Sequence, residues 1–139
     1  MKFKHVLCAV DFSQLSTEAF ETALELAEPL KADLHVLHVI EPDPALPEVS
    51  VQIQEKAMAA MDALVSPAME SARDIQITTE ITTGRAATEI LNCAHERNVE
   101  LIVMGTKGLI LPGDTIIGGT ARQILDDAPC SVMAVRPAA

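Results

Sequence analysis

The sequence has no tryptophan and no tyrosine, and phenylalanine occurs only three times in 139 residues. Single-stranded nucleic acids are held largely by bases stacked on aromatic rings, so that mode of binding is excluded. Basic residues are scarce too: ten Lys and Arg stand against twenty Asp and Glu, a formal charge of −10. Nucleic acid backbones and anionic bilayers are recognised by clustered cations, so neither is expected as a partner. Cys8, Cys93 and Cys130 are odd in number and widely spaced. They fit neither a disulfide framework nor a zinc knuckle, and they suit a reducing cytoplasm. Met1 to His5 lead into a short apolar run, Val6 to Val10, that Asp11 ends. No stretch approaches the ~18–20 apolar residues that span a bilayer, so neither a signal peptide nor a membrane anchor is expected.

What is present is material for a core. Hydrophobic residues make up 49% of the chain and charged residues 22%, which at this length suits one globular domain. Short β-branched runs alternate with longer stretches of helical period, reading β-α-β-α-β-α-β-α-β. The first strand spans Phe3 to Val10. A helix follows, with Phe20, Ala23, Leu24, Ala27 and Leu30 on its inner face, Ser13 or Ser16 as cap, and Glu18, Glu21, Glu25 and Glu28 toward solvent. Asp33 to Ile40 is a nearly continuous apolar run, as in a strand covered on both faces, and it stops at the Pro-rich loop Glu41-Pro42-Asp43-Pro44. A second helix runs from about Ser50 through the Met58–Met69 region, its methionines filling core gaps and Pro67 kinking or ending it.

Ile75, Ile77, Thr79 and Ile81 alternate as a third strand, and Ala87, Ile90, Leu91 and Ala94 mark a third helix. Glu100 to Met104 is a buried strand. A glycine-rich loop runs from Gly105 to Thr120, a helix covers roughly Ala121 to Asp127, and Ser131 to Arg136 form the last strand. Strands separated by helices predict a single α/β domain: a doubly wound, open, parallel five-stranded sheet with helices on both faces and right-handed crossovers, Rossmann-like.

In such sheets ligands bind beyond the carboxyl ends of strands, where the strand order reverses. Two strand ends invite attention: Ala9-Val10-Asp11-Phe12-Ser13, and Gly105-Thr106-Lys107-Gly108 leading to Gly118-Gly119-Thr120. They face each other if the switch point falls between the first and fourth strands. Glycines let backbone N–H groups approach an anion, and a helix starting after Gly118 aims its positive end there. The same glycines also serve ordinary strand-to-helix turns, so both readings stand on spacing alone. The spacing matches neither a Walker loop nor a Rossmann fingerprint.

Gly105-(two residues)-Gly108-(nine residues)-Gly118 resembles the nucleotide loop of the universal stress protein family, within the adenine nucleotide α-hydrolase-like group. His5 to Ser13 is similar to that family's opening strand with its Asp-x-Ser turn. Leu34 to Ile40, Leu101 to Gly105 and Ala128 to Val132 resemble later strands, so the likeness covers essentially the whole chain. The resemblance implies a cytoplasmic protein binding ATP, with magnesium, as a regulatory ligand in stress response. Asp11 with Ala9 would meet the ribose or base, Val39 the adenine, and Met104, Gly105, Gly108 and Gly118 the phosphates. Lys107 is the only cation of the loop. Gly119 stands where the family has Ser or Thr, and Thr120 comes one residue late, so a hydroxyl donor to phosphate is displaced or lost. The resemblance also implies a homodimer paired through Ser131 to Val135. A nucleotide-free dimeric interaction protein and an adenylate-forming enzyme are the rival readings, but the chain lacks the pyrophosphate-loop and synthetase motifs of the latter. Slow ATP hydrolysis is the most activity expected, because no general base for water is recognisable.

Other polar residues read as structural. His35 and His38 lie an odd number apart on one strand and face opposite sides, and no other Cys or His sits at ligand spacing, so no metal site is expected. His5 and His95 are isolated. Ser13 has neither triad partners nor a nucleophile elbow, and helix capping explains it. Taken without the resemblance, Asp11 is a turn residue at a strand end.

Overall fold

The computed structural model describes residues 3–46, 48–107 and 117–137. Five strands, β1 (His5–Ala9), β2 (Asp33–Ile40), β3 (Ile77–Thr83), β4 (Leu101–Gly105) and β5 (Ser131–Val135), alternate with four helices. The helices are α1 (Gln14–Leu30), α2 (Val51–Ser71), α3 (Ala86–Glu96) and α4 (Gly119–Asp127). The sheet is wholly parallel in the order β3-β2-β1-β4-β5. The chain therefore winds outward from β1 to β3, returns, and winds the other way through β4 to β5. The reversal falls between β1 and β4, where the two suspect strand ends meet.

Alternation along each strand divides the core in two. Val6, Cys8, Leu34, Val36 and Val103 point to one face and bury Phe20 and Ala23 of α1 with Met61 and Val65 of α2. Leu7, Leu37 and Ile102 point to the other and bury Ile90 of α3 and Ile124 of α4. Each such aliphatic side chain contributes ~1.5–3 kcal/mol on removal from water. Both sheet faces are covered, which accounts for the near-continuous apolar runs of the central strands.

The expected elements form, with local differences. Leu30, placed on the inner face of α1, is 49% exposed, because it sits in the last turn, beyond the sheet contact made by Ala27. Pro67 does not end α2, which continues to Ser71: its missing N–H removes one bond near the helix end, while Val65 and Ala68 on either side are buried and hold the turn. Of the α2 methionines only Met61 fills the core, whereas Met58 and Met69 face solvent. Helix α4 begins two residues earlier than expected, with Gly118 as its N-cap. Strand β3 starts at Ile77 instead of Ile75, though Gln76 O still accepts from Leu34 N at 2.9 Å. Among the described residues, no helix is long and apolar enough to cross a membrane.

Candidate functional site

The β1–α1 turn is built by short-range bonds. Ser13 caps α1 by accepting from Ser16 N at 3.2 Å, and Asp11 Oδ1 accepts from Ser13 N at 3.0 Å, so the carboxylate closes a turn of its own. Between them Phe12 takes a left-handed conformation, φ 67°, at a typical cost of ~1–2 kcal/mol for a residue with a side chain. Its ring lies 4.5 Å from that of His38, whose Nδ1–H donates to Val10 O at 2.8 Å. Packing and hydrogen bonding together hold the strained turn, and that turn sets Asp11 at the end of the sheet.

On the β4 side, Thr106 N donates to Val135 O at 2.9 Å and Gly118 N to Thr106 O at 2.7 Å, which pins both stems of the glycine-rich loop. Packing favours glycine at 105: a methyl group there would meet Leu15 Cγ of α1 at 3.0 Å, tighter than ordinary contact, so that Leu15 would have to shift. Gly119 differs, since a methyl group there would meet no described atom within 4 Å. Thr106 is 2% exposed and its Oγ1 has no hydrogen-bond partner among the described residues, an unusual state for a buried hydroxyl.

Between these segments lies a cavity of about 320 Å³. Its lining includes Ala9, Asp11, Val39, Met104, Gly105, Lys107, Gly118, Gly119 and Thr120, so nine of the ten residues singled out in the sequence surround one space. The tenth, Gly108, lies outside the described residues, as do Leu109 to Ile116. The walls are largely aliphatic, with Leu37 and Ile90 adding to them from the second core. The positive end of α4 opens into the cavity at Gly118, whose cap position offers no side-chain acceptor. Of the described lining residues Lys107 is the one cation, against the carboxylates of Asp11 and Glu41.

Glu41 was not foreseen. It comes from the Pro-rich loop and accepts from Ala86 N at 2.9 Å, capping α3 across 45 residues of chain. The cap position of α3 is Arg85, whose side chain makes no capping bond, so the helix takes its cap from elsewhere. That vacancy at a helix start is the one sequence signal that pointed toward a distant acceptor.

Away from the cavity, His35 and His38 face opposite sides of β2, as their separation requires. His35 is buried and forms two hydrogen bonds, Nδ1 with Thr78 Oγ1 at 2.6 Å and Nε2 with Glu80 Oε1 at 2.8 Å. Burial holds its imidazole below the usual histidine range, opposed by the bond to Glu80, so the contact joins a carboxylate to a neutral ring at neutral pH. Burial, aided by Glu80, also pushes the Cys93 thiol up to about 11.

The profile of the Universal stress protein family matches residues 2–136. Universal stress protein A homolog 1 of Coxiella burnetii is 32% identical over 142 residues, covering 97% of each chain. The universal stress protein of Archaeoglobus fulgidus in complex with dAMP superimposes with a TM-score of 0.76 at 17% identity, covering 97% of this chain and 99% of that one. A universal stress protein in complex with cAMP gives 0.73 at 17% identity, covering 97% and 98%. At these identities the structural likeness speaks for the fold, and the sequence matches speak for kinship. The chain belongs to the universal stress protein family.

Proposed function

We propose that this chain binds an adenine nucleotide, ATP with magnesium, at the β1/β4 switch point, as a regulatory ligand in a cytoplasmic stress response. The observation that carries the reading is the meeting of Asp11, Val39, Lys107 and the start of α4 around one aliphatic cavity. An adenine ring suits the apolar walls, and phosphates suit backbone N–H groups at a helix start, whatever the net charge of the chain. The two solved relatives bound to dAMP and cAMP support the choice of base. Isothermal titration with ATP and magnesium tests it, and no heat at millimolar nucleotide overturns it.

Turnover is slow on this reading. Both described carboxylates of the cavity already have structural work: Asp11 Oδ1 accepts from Ser13 N, and Glu41 Oε2 from Ala86 N. Neither is placed as a base for an attacking water. Hydrolysis at ordinary enzyme rates that Asp11→Ala abolishes would refute this part.

The functional unit is proposed as a homodimer through β5. That strand is a sheet edge of apolar sequence, whereas the opposite edge, β3, carries the charge of Glu80, which discourages pairing. Gly119 favours one rival, a nucleotide-free dimer. ATP carried through purification, lost in Gly118→Val, separates the two.

A further inference from the structure

We infer that His35, Glu80 and Cys93 form a binding site for a divalent transition-metal ion of the zinc class. The donors come from three elements, β2, β3 and α3, and one ligand atom of each lies within 4.8 Å of the others. None of the three lines the nucleotide cavity, so the site is independent of the function proposed above.

The distances bracket what an ion needs. Zinc bonds of ~2.0–2.1 Å to nitrogen and oxygen and ~2.3 Å to sulfur, arranged tetrahedrally, set ligand atoms about 3.3–3.6 Å apart. Here His35 Nε2 and Glu80 Oε1 are 2.8 Å apart, and Cys93 Sγ and Glu80 Oε1 are 4.0 Å apart. The first pair must open and the second close by about half an ångström, within reach of side-chain rotation. Imidazole, carboxylate and thiolate together select zinc over magnesium or calcium, which prefer oxygen alone.

The surroundings fit. His35 and Cys93 are buried, while the Glu80 side chain is 44% exposed, so an ion arrives from the Glu80 side and keeps water in its fourth position. On binding, the Cys93 thiol loses its proton to solvent, and the neutral His35 ring gives up the Nε2 proton it donates to Glu80 and takes one from solvent on Nδ1, so that Nε2 coordinates the ion. That proton is then donated to Thr78 Oγ1, already 2.6 Å away, the outer bond that fixes a metal-binding histidine. Arg97 Nη2 approaches the same hydroxyl at 3.5 Å, leaving it as acceptor. Thiolate and carboxylate balance the two charges of the ion. The bound metal would tie edge strand β3 to α3.

The test uses the full chain, reduced, freed of metal with a chelator and kept without nucleotide. Zinc is titrated by calorimetry and cobalt by absorption. One equivalent of zinc, a thiolate-to-cobalt charge-transfer band and a raised Tm are expected. The band should persist in the Cys8→Ser/Cys130→Ser double variant and vanish in Cys93→Ser, which preserves shape. Thr78→Val should weaken zinc roughly ten- to a hundredfold while leaving the thiolate band at saturation. Should His35→Ala fail to fold by circular dichroism, Cys93→Ser and Thr78→Val still decide. No zinc bound at micromolar concentration, or a cobalt band that survives Cys93→Ser, overturns the inference.

Discussion

Replacing Gly119 by serine should tighten ATP binding. The position is the first residue of α4, exposed, on the cavity wall, and open to a side chain, because no described atom lies within 4 Å of where a Cβ would stand. A serine hydroxyl there adds a donor at the start of α4, which lines the cavity and whose first-turn N–H groups have no acceptor within the helix. A hydrogen bond to a charged partner is worth ~1.5–3 kcal/mol net. At 1.4 kcal/mol per tenfold, Kd should fall by about ten- to a hundredfold. Any residue other than glycine also stiffens the helix start, an effect of ~0.5–1 kcal/mol on folding that serine and alanine share. Gly119→Ala is therefore the reference, and titration calorimetry of both variants with ATP and magnesium isolates the hydroxyl. If the two variants bind with the same Kd, the phosphates do not sit at the start of α4, and the placement of the nucleotide proposed above is refuted.

Three further expectations are independent of that one. Thr106→Val removes a buried hydroxyl that has no partner among the described residues while preserving shape, so it should stabilise the fold by roughly 1–3 kcal/mol and raise Tm by several degrees; a lowered Tm in thermal denaturation contradicts the assignment. Burial pushes the Cys8 thiol up to about 12, while Cys130, also raised by burial, is partly accessible. A thiol reagent at mildly alkaline pH should therefore modify Cys130 in the native protein and Cys8 only on unfolding, and mass mapping that finds Cys8 labelled first refutes the core placement. Met133→Lys puts a charge on the β5 edge, at a residue that is 37% exposed. If the chain dimerises as proposed, this variant should halve the mass seen by light scattering while the monomer keeps its circular dichroism spectrum, and an unchanged dimeric mass would place the pairing elsewhere.

Strand and helix identity was legible because each core face draws on a regular period. Asp33–Ile40 was read to the residue, since its apolar run begins and ends abruptly. The limits lay where tertiary contact decides. Pro67 reads as a kink or a stop because a sequence shows the missing N–H but not the buried Val65 and Ala68 that hold the turn around it. Met58 and Leu30 fit a helical apolar pattern, yet each is about half exposed, Met58 off the inner face of α2 and Leu30 in the last turn of α1. The gathering of nine residues around the cavity followed once strand order placed β1 beside β4, an order that no local pattern encodes. The His35, Glu80 and Cys93 cluster was illegible for a related reason. Parallel strands are joined by long crossovers, so residues 45 positions apart become neighbours without leaving any spacing to read.

The bond from Gly118 N to Thr106 O, with Thr106 N fastened to Val135 O, has an evolutionary consequence. The two stems of the segment are anchored to each other and to the last strand, so what lies between them can be exchanged as a cassette. Doubling the length of such an insert costs only ~0.6 kcal/mol in closure entropy. If the nucleotide sits where proposed, ligand preference can drift between lineages, or be transplanted by grafting residues 107–117, while the two cores beneath stay as they are.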